Sequence, residues 1–174
     1  MERTTWRRIN LSESVSNEAD AYDPEDDVAL GGYTGSLLTY GLAVAALVTA
    51  GGATGRSLPE RYRVTDVVLG GVATYKFTRL LGKASVTSPL RAPFTTFNGA
   101  AGSAEHHEQA RGEGARHTVG ELLTCPFCLG QWVGTGYVAA LVLAPRSART
   151  WAALFSVTAI SDGLQHAYAR LRTA

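Results

Sequence analysis

The sequence predicts an all-α integral membrane protein, a bundle of four transmembrane helices preceded by a flexible acidic tail. Three observations lead there. No charged residue occurs from Val28 to Gly55. None occurs from Leu122 to Pro145. Two further apolar segments, 64–82 and 150–169, are long enough to cross a bilayer but carry a few ionisable groups. The whole-chain figures hide this partition: mean hydropathy is +0.00 and 18% of residues are charged.

The chain divides into a tail, residues 1–27, and a helical membrane domain, residues 28–174. The tail sets Glu2, Glu13, Glu18, Asp20, Asp23, Glu25, Asp26 and Asp27 against Arg3, Arg7 and Arg8. With little apolar surface to bury, it reads as a disordered, solvated arm. No short apolar stretch follows a basic start, which argues against a cleaved secretory signal.

The first span is placed near 35–55, because about 20 apolar residues cross the hydrocarbon. The second, near 64–82, contains Asp66, Lys76 and Arg79. A polar loop follows over 83–118, broken by Pro89, Pro93, Gly99, Gly102, Gly112 and Gly114. Leu90, Phe94 and Phe97 suit either a segment resting on the membrane surface or an ordinary loop. The third span lies near 120–143 and the fourth near 150–169, with Asp162 and His166. A charge at a helix centre costs roughly 2.5–3.5 kcal/mol on insertion scales, so the polar spans need the apolar ones as shields. Two spans with two surface helices is the competing arrangement. Lysines and arginines are more numerous on the side of the tail, loop and C-terminus, which places both termini in the cytoplasm.

Counting from the loop ends of the helices brings Lys76, Arg79, Cys125, Cys128, Asp162 and His166 to a similar depth at about 1.5 Å per residue. Buried charges seek partners, so Asp162 is paired with Lys76 or Arg79 as an intramembrane charge cluster. The bland reading is that this pair fixes helix register, or that both cations snorkel to the interface.

Cys125-Pro-Phe-Cys128 is the most chemically loaded element. Proline is favoured at the first helical position, so Pro126 opens a helix with Cys125 at its cap. There the backbone amides lower a thiol pKa. Three roles remain open: a redox dithiol, a metal site completed by His117 or by His106 or His107, and plain packing. Gly130 and Gly134 follow in the spacing that lets membrane helices approach, and mark a surface for a second copy or a membrane partner. Gln131 needs a hydrogen-bond partner. No Walker loop, dinucleotide fingerprint, nucleophile elbow or His-Glu-X-X-His occurs. No basic stripe with interleaved aromatics suggests nucleic acid, and no cofactor is implied.

The runs Thr65–Leu81, Val86–Phe94 and Gly120-Glu-Leu-Leu-Thr-Cys-Pro-Phe-Cys-Leu-Gly-Gln-Trp132 resemble the bacterial membrane family DUF1360. The resemblance spans roughly residues 60–170. It implies a bacterial plasma membrane location and favours four spans, but brings no substrate or catalytic residue. The expected role is a non-enzymatic scaffold or assembly component, with a thiol redox protein and a metal-binding protein as alternatives.

Overall fold

Helix boundaries follow the placement of proline and of charge. The computed structural model describes residues 11–24 and 28–173. Seven α-helices occur among them: α1 Leu11–Tyr22, α2 Leu30–Ala53, α3 Val64–Lys83, the single turn α4 Ser88–Arg91, α5 Gly114–Thr124, α6 Pro126–Leu143 and α7 Pro145–Thr173. A two-stranded antiparallel hairpin, β1 Thr95–Gly102 and β2 Glu105–Ala110, stands between α4 and α5.

Two expectations need correction and a third is met in part. The domain is mostly helical rather than all-α, because the hairpin lies within the region read as a loop. Its strands meet at the two-residue turn 103–104, in which Ala104 takes φ 60°, next to Gly102 at the end of β1 with φ 131°. Irregularities after Phe97 and Ala100 bend β1, and the positive φ of Gly99 accommodates one of them. The tail is helical over Leu11–Tyr22, since that stretch contains neither Gly nor Pro. The helix stops before Pro24, and Asp23 accepts the Val28 amide at 2.6 Å. Residues 1–10 and 25–27, the rest of the expected disordered arm, lie outside the described residues.

The expectation met in part is that of four spans. Among the described residues two helices, α2 and α6, are long and apolar enough to cross a membrane. Their 24 and 18 residues rise about 36 and 27 Å, against a hydrocarbon thickness of about 30 Å. Most side chains of α2 face outward, Leu37, Leu38, Leu42 and Val48 among them, whereas most of those of α6 are half-buried. The other two expected spans, α3 and α7, do not meet that description, because their charged and polar residues dilute the apolar content.

The central packing unit is α3 with α6 and α7. Its buried centre is Ala73, Tyr137, Ala148 and Ala152, flanked by Leu69, Ala140, Leu141, Trp151 and Phe155. Small residues let the helices come close: a Cβ at Gly70 would overlap the Tyr137 ring. Aromatic edges complete the contact, with the Phe77 ring 4.9 Å from Phe155 and 5.5 Å from Trp151. Backbone carbonyls also take part. Tyr137 donates to Asp66 O at 2.8 Å and Ser156 to Leu69 O at 2.9 Å.

Helix α2 joins this unit through polar residues. Tyr40 Oη bonds Thr135 Oγ1 at 2.7 Å and accepts from Gln131 Nε2 at 2.7 Å, and its ring meets Trp132 edge-on at 5.1 Å. Tyr40 is thus the partner that Gln131 lacked in the sequence. Nearer the hairpin, Tyr33 donates to Glu121 at 3.0 Å.

Candidate functional site

The hairpin, α4 and the start of α6 converge on the C-terminus of α3. A helix ends with carbonyls that lack intrahelical donors and with partial negative charge. Here two side chains fill that need. Thr87 Oγ1 donates to Leu80 O at 2.5 Å. Arg91, 1% exposed, donates to Leu81 O at 2.6 Å and Ala84 O at 3.1 Å.

Burying an arginine requires a counter-charge and a partner for every donor. Glu108 of β2 supplies the counter-charge in a two-pronged pair: Arg91 Nε reaches Oε2 at 2.9 Å and Nη2 reaches Oε1 at 2.7 Å. The second Nη1 hydrogen goes to Thr87 Oγ1 at 2.7 Å, and Nη2 also approaches Ser88 Oγ at 3.4 Å. All five guanidinium donors therefore have acceptors. Thr95 adds a bond to Glu108 Oε2 at 2.8 Å. The Arg91 guanidinium, and then the Thr95 hydroxyl, hold the Glu108 carboxyl below the usual range against the opposing effect of burial. A second pair ties the hairpin to α3, where Arg79 Nε and Nη2 reach Glu105 at 2.8 and 2.7 Å.

Ser88, His106 and Glu108 also lie together, which invites comparison with a nucleophile, base and acid. The geometry does not support that use. Ser88 Oγ lies 3.0 Å from His106 Nδ1, and the Glu108 carboxylate lies 4.0 Å from the same nitrogen. A relay needs the nucleophile on one ring nitrogen and the acid on the other. Glu108 is moreover already engaged by Arg91.

The Cys-Pro-Phe-Cys corner abuts this network. Helix α6 opens at Pro126 with Cys125 at its cap, and Cys125 Sγ accepts the Cys128 amide at 3.2 Å. The two cysteines form a disulfide with Cα atoms 5.3 Å apart. Gly82 at the end of α3 faces the corner: a Cβ there would sit 3.0 Å from Leu123 O and 3.5 Å from Pro126 Cγ. Cys128 is exposed, and Phe127 stands 92% exposed beside it.

The remaining sequence candidates fall as follows. Lys76 pairs with Asp162. Arg79 does not join them, since Glu105 holds it. His117 Nε2 lies 3.6 Å from Glu121 Oε1. Among the described residues no group of three His, Cys, Asp or Glu is placed to hold a metal ion, and the paired sulfurs are not thiolate ligands. Gly130 and Gly134 meet nothing within 4 Å of a built Cβ, so they mediate no close approach within the chain. Sequence reasoning missed Arg91, Glu108, Thr95 and Glu105. It also missed Arg149, whose Nε and Nη2 grip Asp66 at 2.9 and 2.8 Å across α3 and α7. Residue type was the available clue: Arg91 stands between Pro89 and Pro93 beside Leu90 and Phe94, an apolar setting in which a charge needs a partner.

Fold and site together define a class: a mostly helical chain with two apolar helices of bilayer length and a charge-stapled hairpin at one end. The profile of the family described as "Protein of unknown function (DUF1360)" matches residues 69–168, and the chain belongs to that family. The chain is also similar to sporulation protein YjcA of Bacillus subtilis (strain 168), 28% identical over 98 residues, which is 55% of this chain and 83% of that protein. No solved structure matches.

Proposed function

We propose that this chain is a multi-span bacterial plasma-membrane protein that acts as a non-enzymatic scaffold or assembly component, with both termini cytoplasmic. One observation carries the reading. Three of the four charged side chains of α3 are engaged in internal pairs, Asp66 with Arg149, Lys76 with Asp162 and Arg79 with Glu105, and the fourth, Lys83, is the last residue of the helix. Such pairing favours α3 and α7 as the second and fourth spans, packed with α6, because a paired charge is less costly in hydrocarbon than a lone one. It also leaves those groups no free acid or base for chemistry. Similarity to a Bacillus protein supports the bacterial setting.

A second reading, thiol–disulfide exchange, is favoured by the exposed Cys128 in a disulfide at a helix N-terminus. A partner dithiol would supply the electrons: one of its thiolates attacks a sulfur of the pair, giving a mixed disulfide and a free cysteine thiolate here. The second partner thiolate then releases the partner as a disulfide, and two electrons and two protons have passed to Cys125 and Cys128.

Single Cys125→Ser and Cys128→Ser variants, trapped with acid and alkylated in cells, separate the two readings. The scaffold reading expects no adduct that dissolves on reduction. A reducible adduct with a dithiol protein would replace it with the exchange reading. Sidedness is checked with an impermeant maleimide on reduced wild-type chain, where labelling of intact cells would reverse the assigned topology.

A further inference from the structure

The face of α2 and α6 away from the α3–α7 contact is not filled. A cleft of about 520 Å³ runs between the two helices, lined on one side by Val44, Leu47 and Val48 and on the other by Gly130, Gly134 and Val138. From Gly130 to Leu143 it extends about 20 Å along α6 at 1.5 Å per residue. Its walls are mostly apolar, the polar Gln131 and Thr135 being bonded to Tyr40, and Gly130 and Gly134 leave room instead of being packed against.

One end of the cleft is cationic. Arg56, just past α2, lines it and donates through Nη1 to the carbonyls of Val142 and Leu143 at the end of α6. Among the described residues the Arg56 guanidinium makes no other hydrogen bond, so Nε and Nη2 remain available to an acceptor. The connecting segment 54–63 carries Arg56, Arg61 and Arg63 against Glu60 alone. An apolar slot with an arginine at its polar end complements an acyl chain attached to an anionic headgroup.

We infer that the α2–α6 cleft is a binding site for an anionic glycerophospholipid, its acyl chain along Gly130 and Gly134 and its phosphate on Arg56. A second copy of the chain fits less well. Neither α2 nor α6 contains an acidic residue, so a copy docked through these helices brings no carboxylate to Arg56. The inference rests on the membrane placement proposed above.

The test is native mass spectrometry of the full chain in detergent, with phosphatidylglycerol and phosphatidylcholine of identical acyl chains added in turn. Phosphatidylglycerol should bind about fivefold more tightly, the effect of one basic residue at an anionic surface. Arg56→Gln should bring the two lipids together, Arg56→Lys should retain part of the preference, and Arg61→Gln should leave it unchanged. Gly134→Leu, which fills the cleft, should weaken both lipids. Equal binding to the wild-type chain, a preference that survives Arg56→Gln, or a dimer that excludes lipid overturns the site. Carbonate extraction tells this failure from the larger one: release from membranes without detergent sinks the membrane placement, whereas retention with no lipid preference sinks the cleft site alone.

Discussion

Arg91 and Glu108, seventeen residues apart, form a two-pronged ion pair almost fully shielded from water. Neither residue stands in a long helix. Together they fasten the hairpin to the last turn of α3, and breaking one partner leaves the other charge buried alone. Glu108→Leu or Arg91→Met should therefore each destabilise the fold by about 3–5 kcal/mol, and the double variant by less than their sum. Denaturant unfolding in mixed micelles measures this, and strict additivity would mean that the pair is not coupled.

The same pair sets an acid limit. Glu108 has a folded-state pKa below its unfolded value. Its stabilising contribution is complete above the ordinary glutamate range and is lost as pH falls through the depressed folded value. Thermal midpoints measured at descending pH should fall in that window for the wild type. In Glu108→Gln the fall should be shallower.

Lys76 and Arg79 are one helical turn apart on α3 but serve different partners. In double-mutant cycles Asp162→Asn should couple to Lys76→Met and be additive with Arg79→Gln. Glu105→Gln should show the reverse preference. Coupling of Asp162 to Arg79 would contradict the geometry of the hairpin.

Gly70 and Gly71 are neighbours in α3 with opposite surroundings. Gly70→Ala pushes a methyl into the Tyr137 ring and should cost about 1–3 kcal/mol. Gly71→Ala enters open space and should be neutral or slightly stabilising, because alanine is the better helix former. Equal loss at both positions would imply that α3 and α6 pack differently.

Local chemistry made part of this molecule readable. Uncharged runs located α2 and α6, proline fixed the start of α6, and the cost of a lone charge pointed Asp162 toward Lys76 or Arg79, of which Lys76 is the partner. What escaped was long-range. Arg91 and Glu108 belong to segments with weak periodicity, and their meeting depends on the register of a bulged hairpin that no turn dipeptide announces strongly. Arg149 and Glu105 looked like solvated loop charges, because the elements that bring Asp66 and Arg79 to them lie 83 and 26 residues away. Treating residues 83–118 as connection removed from consideration the segment that ties α4 and the hairpin to the end of α3 by side-chain hydrogen bonds.

The saturation of Arg91 has a mechanical meaning. A guanidinium with a vacant donor can pivot from one acceptor to another, so the parts it joins can slide. With all five donors committed to Leu81, Ala84, Thr87, Ser88 and Glu108, no vacant position is left to move into. A pull on the hairpin is then transmitted undamped into the last turn of α3, and through Gly82 into the disulfide corner. Hairpin, helix end and corner respond to force as one stiff joint, while the compliant part of the molecule lies at the thinly attached α2.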